Sequence, residues 1–142
     1  MRRGLTLGKF APLHRGHEFV ISSALDEVDE LVVLVYDAPD VTRVPLPVRA
    51  GWVRRAFPAA RVIEVWDGPQ EVGDAPDLMR RHEACIARAL GGLRIDAFYS
   101  SESYGDHVAR SLGALDRRVD PHRARVPISG TAVRAAPFEH RA

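Results

Sequence analysis

Hydrophobic residues along this chain fall into two alternating kinds of segment. Short continuous apolar runs, the clearest of which is Leu31-Val32-Val33-Leu34-Val35-Tyr36, are typical of parallel strands that are buried on both faces. Between these runs, apolar residues recur every three or four positions, which is the spacing of one face of a helix. The pattern predicts strands over residues 5–10, 31–36, 61–66, 95–100 and 115–120, and helices over 17–28, 47–57, 76–90 and 103–112, with a last short helix from 129.

The alternation of strands and helices predicts an α/β fold with a parallel, Rossmann-like sheet. Right-handed crossovers between parallel strands place helices on both faces of such a sheet. Ligands bind at the carboxyl ends of its strands, at the point where the strand order reverses. The charged strand over 115–120 is expected at an edge. A length of 142 residues suits one domain that spans 1–142.

Composition and charge exclude several classes of protein. A net charge of +1 argues against a protein that binds nucleic acid through its charge. No apolar run approaches the ~20 residues that a membrane span needs. The single cysteine, Cys85, excludes an internal disulfide and a cysteine-based metal cluster, and we expect it to be a small buried residue of its helix. The chain is therefore expected to be cytoplasmic, with no membrane partner, and whether it forms a homo-oligomer is left open.

The stretch that carries candidate chemistry covers residues 8–17, which read Gly-Lys-Phe-Ala-Pro-Leu-His-Arg-Gly-His. A strand, a glycine-containing turn and a helix start follow one another here, and the N–H groups and dipole of a helix N-terminus attract anions. His14, His17 and Lys9 add side-chain donors. Lys9 is the only lysine among the 20 basic residues. The stretch predicts a site that holds a polyphosphate; ordinary turn residues on a solvated surface are the alternative.

Two sequence blocks resemble the signatures of the nucleotidyltransferase superfamily, which contains adenylyltransferases and cytidylyltransferases. The first is the stretch over 8–17, and the second is Ile-Ser-Gly-Thr-Ala-Val-Arg over 128–134. With Tyr104-Gly105 and Val119-Asp120-Pro121 between them, the blocks are most similar to nicotinamide-mononucleotide adenylyltransferase domains of the NadR type. The resemblance implies a five-stranded sheet with strand order 3-2-1-4-5. It also implies that ATP and nicotinamide mononucleotide are joined to give NAD and pyrophosphate, with Mg²⁺ bridging the phosphates.

The resemblance further implies which residues do this chemistry. Adenylyl transfer needs donors around the leaving pyrophosphate rather than a protein nucleophile, and His14, His17 and Lys9 would stabilise the charge that develops there. Neither block contains a cluster of carboxylates, so we expect no metal held by the protein and a Mg²⁺ ion held by the nucleotide and water. The remaining residues that would hold ATP are Gly8, Phe10, Gly16, Tyr104, Ser129, Thr131 and Arg134. For Tyr104, a packing residue at the start of a helix is the alternative.

The acceptor side of the site is less defined. In NadR-type domains the loop after the third strand carries Pro-Asn-Gly-Trp, whose Trp stacks on nicotinamide, whereas the loop over 67–74 has neither Asn nor Trp. Trp66, just before this loop, could supply an aromatic face or belong to the core. Arg49 resembles a family arginine that faces the substrate phosphate, and a solvent-facing arginine is the alternative. Its helix is expected to bury a stripe of Val48, Trp52, Val53 and Phe57.

Two other functions stay open at this point. One is an adenylyl- or cytidylyltransferase with a different acceptor, such as phosphopantetheine or a sugar or alcohol phosphate. The other is a sensor that binds ATP or NAD without turnover. The 142 residues contain no Gly-x-x-x-x-Gly-Lys-Ser/Thr sequence and therefore no P-loop kinase motif.

Overall fold

The computed structural model of this chain describes residues 1–69, 75–101 and 105–119. Strands and helices alternate throughout these ranges, which confirms the predicted α/β class. In chain order the elements are β1 (Arg3–Gly8), α1 (Arg15–Glu27), β2 (Glu30–Tyr36), α2 (Leu46–Ala56), β3 (Arg61–Val65), α3 (Pro76–Leu90), β4 (Ala97–Ser100), α4 (Gly105–Leu112) and β5 (Leu115–Arg118).

Within the described residues, the five strands form one parallel sheet in the order β3-β2-β1-β4-β5. β1 is the central strand, and its Gly4 pairs with Leu31 on one side and with Ala97 on the other. The chain builds outward from β1 through β2 to β3, then crosses to the opposite side of β1 for β4 and β5. This confirms the strand order that the family resemblance implied and places β5 at an edge, as predicted.

Apolar side chains form a core on each face of the sheet, because successive residues of a strand point to opposite faces. On one face, Val33 of β2 belongs to a buried cluster with residues of α1 and α2. On the other face, Leu34 belongs to a cluster with residues of α4 and of α3, including the buried Cys85. Helices therefore cover both faces, as predicted. Among the described residues, no helix has the length and apolar character that crossing a bilayer requires.

Several element boundaries differ from the predicted ones by one or two residues, and two of these differences have clear local reasons. β1 ends at Gly8 instead of continuing to residue 10, because Phe10 has a φ of 49° and turns the chain out of the extended conformation. α1 begins at Arg15, two residues before the predicted start at 17, because His14 caps the helix. Both differences fall in the stretch that carries the candidate chemistry.

The buried face of α2 is only partly the predicted one. Val53 is buried as predicted, but Val48 is exposed. The other buried positions of the helix are Leu46, Arg49 and Ala50. A charged residue therefore faces the interior, where an apolar stripe was expected. Its side chain donates hydrogen bonds to backbone carbonyls at the carboxyl ends of β1 and β2 and so connects α2 to both strands.

Glu27, at the last position of α1, braces the helix against β4 and β5. The buried hydroxyl of Tyr99 donates to Glu27 Oε1 over 2.9 Å, and Arg117 donates from Nε and Nη2 to the two carboxylate oxygens over 3.1 and 2.7 Å. The hydrogen bond from Arg117 lowers the pKa of Glu27. Burial, reinforced by the neighbouring carboxylate, raises the pKa of Tyr99 to about 12. The Glu27 brace therefore consists of an ion pair between Glu27 and Arg117 and a neutral hydroxyl from Tyr99.

Candidate active site

The stretch that carries the candidate chemistry begins at the carboxyl end of the central strand. β1 ends at Gly8 between β2 and β4, where the strand order reverses. The last residue of β4, Ser100, is buried at the same edge of the sheet. Sheets of this kind bind their ligands at such a reversal point. The turn after β1 and the N-terminus of α1 therefore lie where a ligand is expected.

The turn after β1 takes its shape from Phe10. Its φ of 49° is a left-handed conformation that is uncommon for a residue with a side chain, and the peptide bond from Ala11 to Pro12 is cis. The Phe10 ring is buried and lies against Gly8, where an added Cβ would be 3.3 Å from two ring carbons. A side chain at Gly8 would crowd this ring. Lys9, between the two, is half-buried.

His14 and His17 together cap the N-terminus of α1. His14 Nδ1 accepts hydrogen bonds from the backbone N–H groups of Gly16 (3.0 Å) and His17 (3.3 Å). In return, His17 Nδ1 accepts from the backbone N–H of His14 over 3.3 Å. This reciprocal arrangement is a capping box in which histidines stand in for the usual Ser or Thr and Glu. It explains why the helix begins here.

The cap fixes how each imidazole carries its proton. A nitrogen that accepts a backbone N–H has no hydrogen of its own, so the ring hydrogen of both His14 and His17 lies on Nε2. The two rings are stacked, with centroids 3.6 Å apart and planes inclined by 19°. His14 is 4% exposed and His17 is half-buried. Two Nε2–H donors therefore lie side by side at a helix N-terminus.

Phe10 links the turn to this pair. The rings of Phe10 and His17 pack edge to face, with centroids 4.7 Å apart and planes inclined by 66°. Aromatic pairs favour this geometry because the positive ring edge meets the negative ring face. The position of the His17 ring thus depends on the conformation of the turn, as well as on the cap.

Arg49 joins the turn to two other segments from inside the protein. Its side chain is 0% exposed. Nη1 donates to the carbonyl oxygens of Lys9 (2.6 Å) and Tyr36 (2.7 Å), and Nε donates to that of Val44 (3.0 Å). The alternative of a solvent-facing arginine is therefore wrong. Whether Arg49 also contacts the acceptor stays a prediction.

Asp37 is the counter-charge of this arginine, a role that was not predicted from the sequence. Its Oδ1 lies 3.6 Å from Arg49 Nη2 and also accepts the backbone N–H of Ala38. Burial lowers the pKa of Arg49, and the charge of Asp37 opposes that effect. Its position in the sequence could have identified it, because Asp37 directly follows β2 and therefore lies at the edge of the sheet where a ligand is expected.

The other predicted site residues have different outcomes. Trp66, just after β3, is 56% exposed, so the alternative that it belongs to the core is wrong. Gly16 is half-buried in the first turn of α1. Four predicted ATP-binding residues lie outside the described residues: Tyr104, Ser129, Thr131 and Arg134.

Among the residues that the structure describes, metal-binding side chains do not cluster near this edge. Across residues 1–69, 75–101 and 105–119, no three His, Cys, Asp or Glu side chains are grouped so that they could hold an ion.

Comparison with known proteins gives matches over nearly the whole chain. A family model described as cytidylyltransferase-like matches residues 5–136. The nicotinamide-nucleotide adenylyltransferase of Methanocorpusculum labreanum is 30% identical over 135 residues, which cover 94% of this chain and 78% of that protein. The trifunctional NAD biosynthesis/regulator protein NadR of Escherichia coli K12 is 27% identical over 157 residues. That match covers 96% of this chain but 37% of NadR, so the chain spans little more than a third of that relative.

Solved structures show the same fold. The crystal structure of a NadR protein in complex with NAD and AMP-PNP superposes with a TM-score of 0.69 at 22% identity. The match covers 98% of this chain and 43% of that one. A bifunctional NMN adenylyltransferase/ADP ribose pyrophosphatase from Francisella tularensis superposes with a TM-score of 0.60 at 14% identity, over 84% of this chain and 37% of that one.

Proposed function

Since this chain belongs to the cytidylyltransferase-like family, we propose that it is a nucleotidyltransferase that joins ATP and nicotinamide mononucleotide to give NAD and pyrophosphate. The observation that carries the chemistry is the stacked pair His14 and His17, with both ring hydrogens on Nε2 at the N-terminus of α1. The relative from Methanocorpusculum labreanum, which is named a nicotinamide-nucleotide adenylyltransferase, supports the choice of substrates.

The reaction needs alignment and charge stabilisation. A phosphate oxygen of the acceptor forms a bond to the α-phosphorus of ATP, and the bond from that phosphorus to its bridging oxygen breaks, so that pyrophosphate leaves with the electron pair. Negative charge builds on the bridging and leaving oxygens. Donors that are already in place for this charge lower the barrier, because they need no rearrangement during the reaction.

The proposed donors that the structure describes lie in the turn after β1 and at the start of α1. The Nε2–H groups of His14 and His17 act as neutral hydrogen-bond donors, since their Nδ1 atoms are engaged with the backbone. Lys9 adds a positive charge, and the dipole of α1 favours the anion. By resemblance to the family, Ser129, Thr131 and Arg134 would hold the triphosphate, Tyr104 would bind the adenosine, and Gly8, Phe10 and Gly16 would shape the backbone around it.

Mg²⁺ would enter as the complex with ATP and neutralise charge on the β- and γ-phosphates. The reason for expecting this form of binding is that neither signature block of the sequence contains a cluster of carboxylates. On the acceptor side, the exposed indole of Trp66 is suited to stacking on an aromatic ring such as nicotinamide. The cytoplasmic location stays a prediction from composition, and whether the chain forms a homo-oligomer stays open.

The decisive experiment is an assay of the purified full chain with ATP, Mg²⁺ and nicotinamide mononucleotide. We expect pyrophosphate and NAD to form in equal amounts, with no pyrophosphate when the acceptor is left out. Pyrophosphate release with phosphopantetheine, or with another phosphate acceptor, would change the acceptor but keep the chemistry. Replacement of ATP by CTP tests the donor nucleotide. Binding of ATP without turnover on any acceptor would identify a sensor and contradict the proposal.

A further inference from the structure

The guanidinium of Arg49 is enclosed by backbone carbonyls from three separate segments. These are the turn after β1 (Lys9), the last residue of β2 (Tyr36) and the loop before α2 (Val44). The bonds to Lys9 and Tyr36 span 40 and 13 residues of sequence, so the contacts are tertiary. A charged group without exposed surface is costly to bury unless it is hydrogen-bonded or paired. Nε and Nη1 of Arg49 are hydrogen-bonded to these carbonyls, whereas Nη2 makes no hydrogen bond within the described residues and lies 3.6 Å from Asp37 Oδ1. Every hydrogen bond that the structure describes for this buried charge therefore holds a backbone carbonyl.

The bond to Lys9 acts on the conformation of the next residue. The Lys9 carbonyl belongs to the peptide that precedes Phe10, and rotation of that peptide changes the φ of Phe10. That φ is 49°, a conformation that persists only where the surroundings hold it. A short bond of 2.6 Å from Arg49 Nη1 fixes the carbonyl in the orientation that this φ requires.

The conformation of Phe10 in turn sets the position of a proposed phosphate donor. The Phe10 ring lies against Gly8 on one side and meets the His17 ring at a centroid distance of 4.7 Å. His17 is stacked on His14. A chain of direct contacts therefore runs from Arg49 through the Lys9 carbonyl and the Phe10 ring to both imidazoles.

We propose that Arg49 is a positioning residue: its guanidinium fixes the peptide between Lys9 and Phe10 and thereby holds the His17 imidazole in place for the phosphates. In this role it acts through backbone carbonyls and does not touch the acceptor. Direct contact with the acceptor phosphate, which the family resemblance implied, is the rival role. The two roles differ in what happens to the histidines when no substrate is present.

The test compares Arg49→Lys with Arg54→Lys in the full chain. A lysine keeps the charge at position 49, but its single ammonium cannot span the carbonyls that Nε and Nη1 reach. Arg54 lies on the same helix, is 47% exposed and pairs with Glu64 on the surface, so its replacement is a matched control. The first readout is the imidazole nitrogen NMR spectrum of the substrate-free protein, with the signals of His14 and His17 assigned through single variants.

If Arg49 positions the turn, Arg49→Lys shifts the His17 signals without any ligand, and Arg54→Lys leaves them unchanged. Unchanged His17 signals in Arg49→Lys overturn the proposal. This arm is independent of activity, so it still decides the role of Arg49 if the proposed reaction is not found. The kinetic arm rests on the proposed function: the kcat should fall by roughly 10- to 100-fold, with the KM for nicotinamide mononucleotide nearly constant.

A rise in the KM for nicotinamide mononucleotide alone, with normal histidine signals, would establish the rival role. Should Arg49→Lys fail to fold, Phe10→Leu tests the same path one step further along. Leucine keeps an apolar side chain but removes the aromatic edge from His17. The proposal then requires shifted His17 signals and a lowered kcat in Phe10→Leu, and normal values of both would overturn it.

Discussion

His14 and His17 hold each other in place at the start of α1. Each imidazole accepts the backbone N–H of the other residue through Nδ1, and the two rings stack with centroids 3.6 Å apart. The pair is therefore one structural unit, and a substitution at either residue removes a cap as well as a donor. Variants that separate these two contributions are needed to establish what each ring does.

Substitution of His14 should separate capping from donation. His14→Asn keeps a side-chain acceptor that is favoured at the N-cap position, whereas His14→Ala removes it and should lower the free energy of unfolding by about 0.5–2 kcal/mol. Both variants lose the Nε2–H donor, so both should turn over slowly. Chemical denaturation and steady-state kinetics of the two variants check this. Full activity in His14→Asn would show that the ring serves only as a cap.

Substitution of His17 should affect turnover more than acceptor binding. Loss of one preorganised donor typically costs ~10²–10³-fold in rate. His17→Gln retains an acceptor suited to the third position of a capping box, so it should melt closer to the unmodified chain than His17→Ala. Kinetics with both substrates varied, together with thermal melts, test this. His82→Gln, on α3, is the control, and near-normal turnover in both His17 variants would contradict the role given to His17.

Lys9→Ala should weaken binding of the triphosphate with little effect on folding. A hydrogen bond to a charged group contributes ~1.5–3 kcal/mol, so the KM for ATP should rise by about 10- to 100-fold. Lys9 is half-buried and its carbonyl, which Arg49 binds, is unchanged by the substitution. The matched control is Arg55→Ala, which removes an exposed cation from α2. An unchanged KM for ATP would make Lys9 an ordinary surface cation.

The Glu27 brace should make stability depend on pH in the acid range. The pKa of Glu27 is lowered in the folded protein, so its contribution is complete above the unfolded value of about 4.3 and is lost as the pH falls through the folded pKa. The Glu27→Gln variant should therefore lose less stability than the unmodified chain between about pH 5 and pH 3. Denaturation across this range tests it, with Asp26→Asn as the control; parallel curves for all three proteins would refute it.

The local sequence pattern was sufficient to predict the strands and helices, but it was not sufficient to predict the order of the strands in the sheet. The continuous apolar run of β2 predicts a central strand, and residues 31–36 are all buried. The strand order came from the family resemblance, because the pairing of β1 with β4 joins residues more than ninety positions apart and leaves no periodic trace. The carboxyl ends of the strands were nevertheless predictable as the edge at which a ligand is expected, since that part of the rule depends only on the alternation of strands and helices.

Arg49 illustrates what the sequence could not reveal. It was expected to face the acceptor phosphate or, as the alternative, solvent, and the predicted apolar stripe of α2 does not include it. Its burial depends on three carbonyls and Asp37, all contributed by other segments. The capping role of His14 was hidden for a related reason, because histidine is not among the residues that usually mark a helix start.

The position of Lys9 also makes this edge of the sheet open to chemical labelling. Within the 142 residues its side chain is the sole ε-amino group, and it lies in the turn at the carboxyl end of β1. An acylating reagent that targets primary amines would therefore attach to a side chain at one place only. The mass gained by the peptide that contains Lys9 would report how much of the turn is covered, and a nucleotide bound there would shield it without any need for turnover.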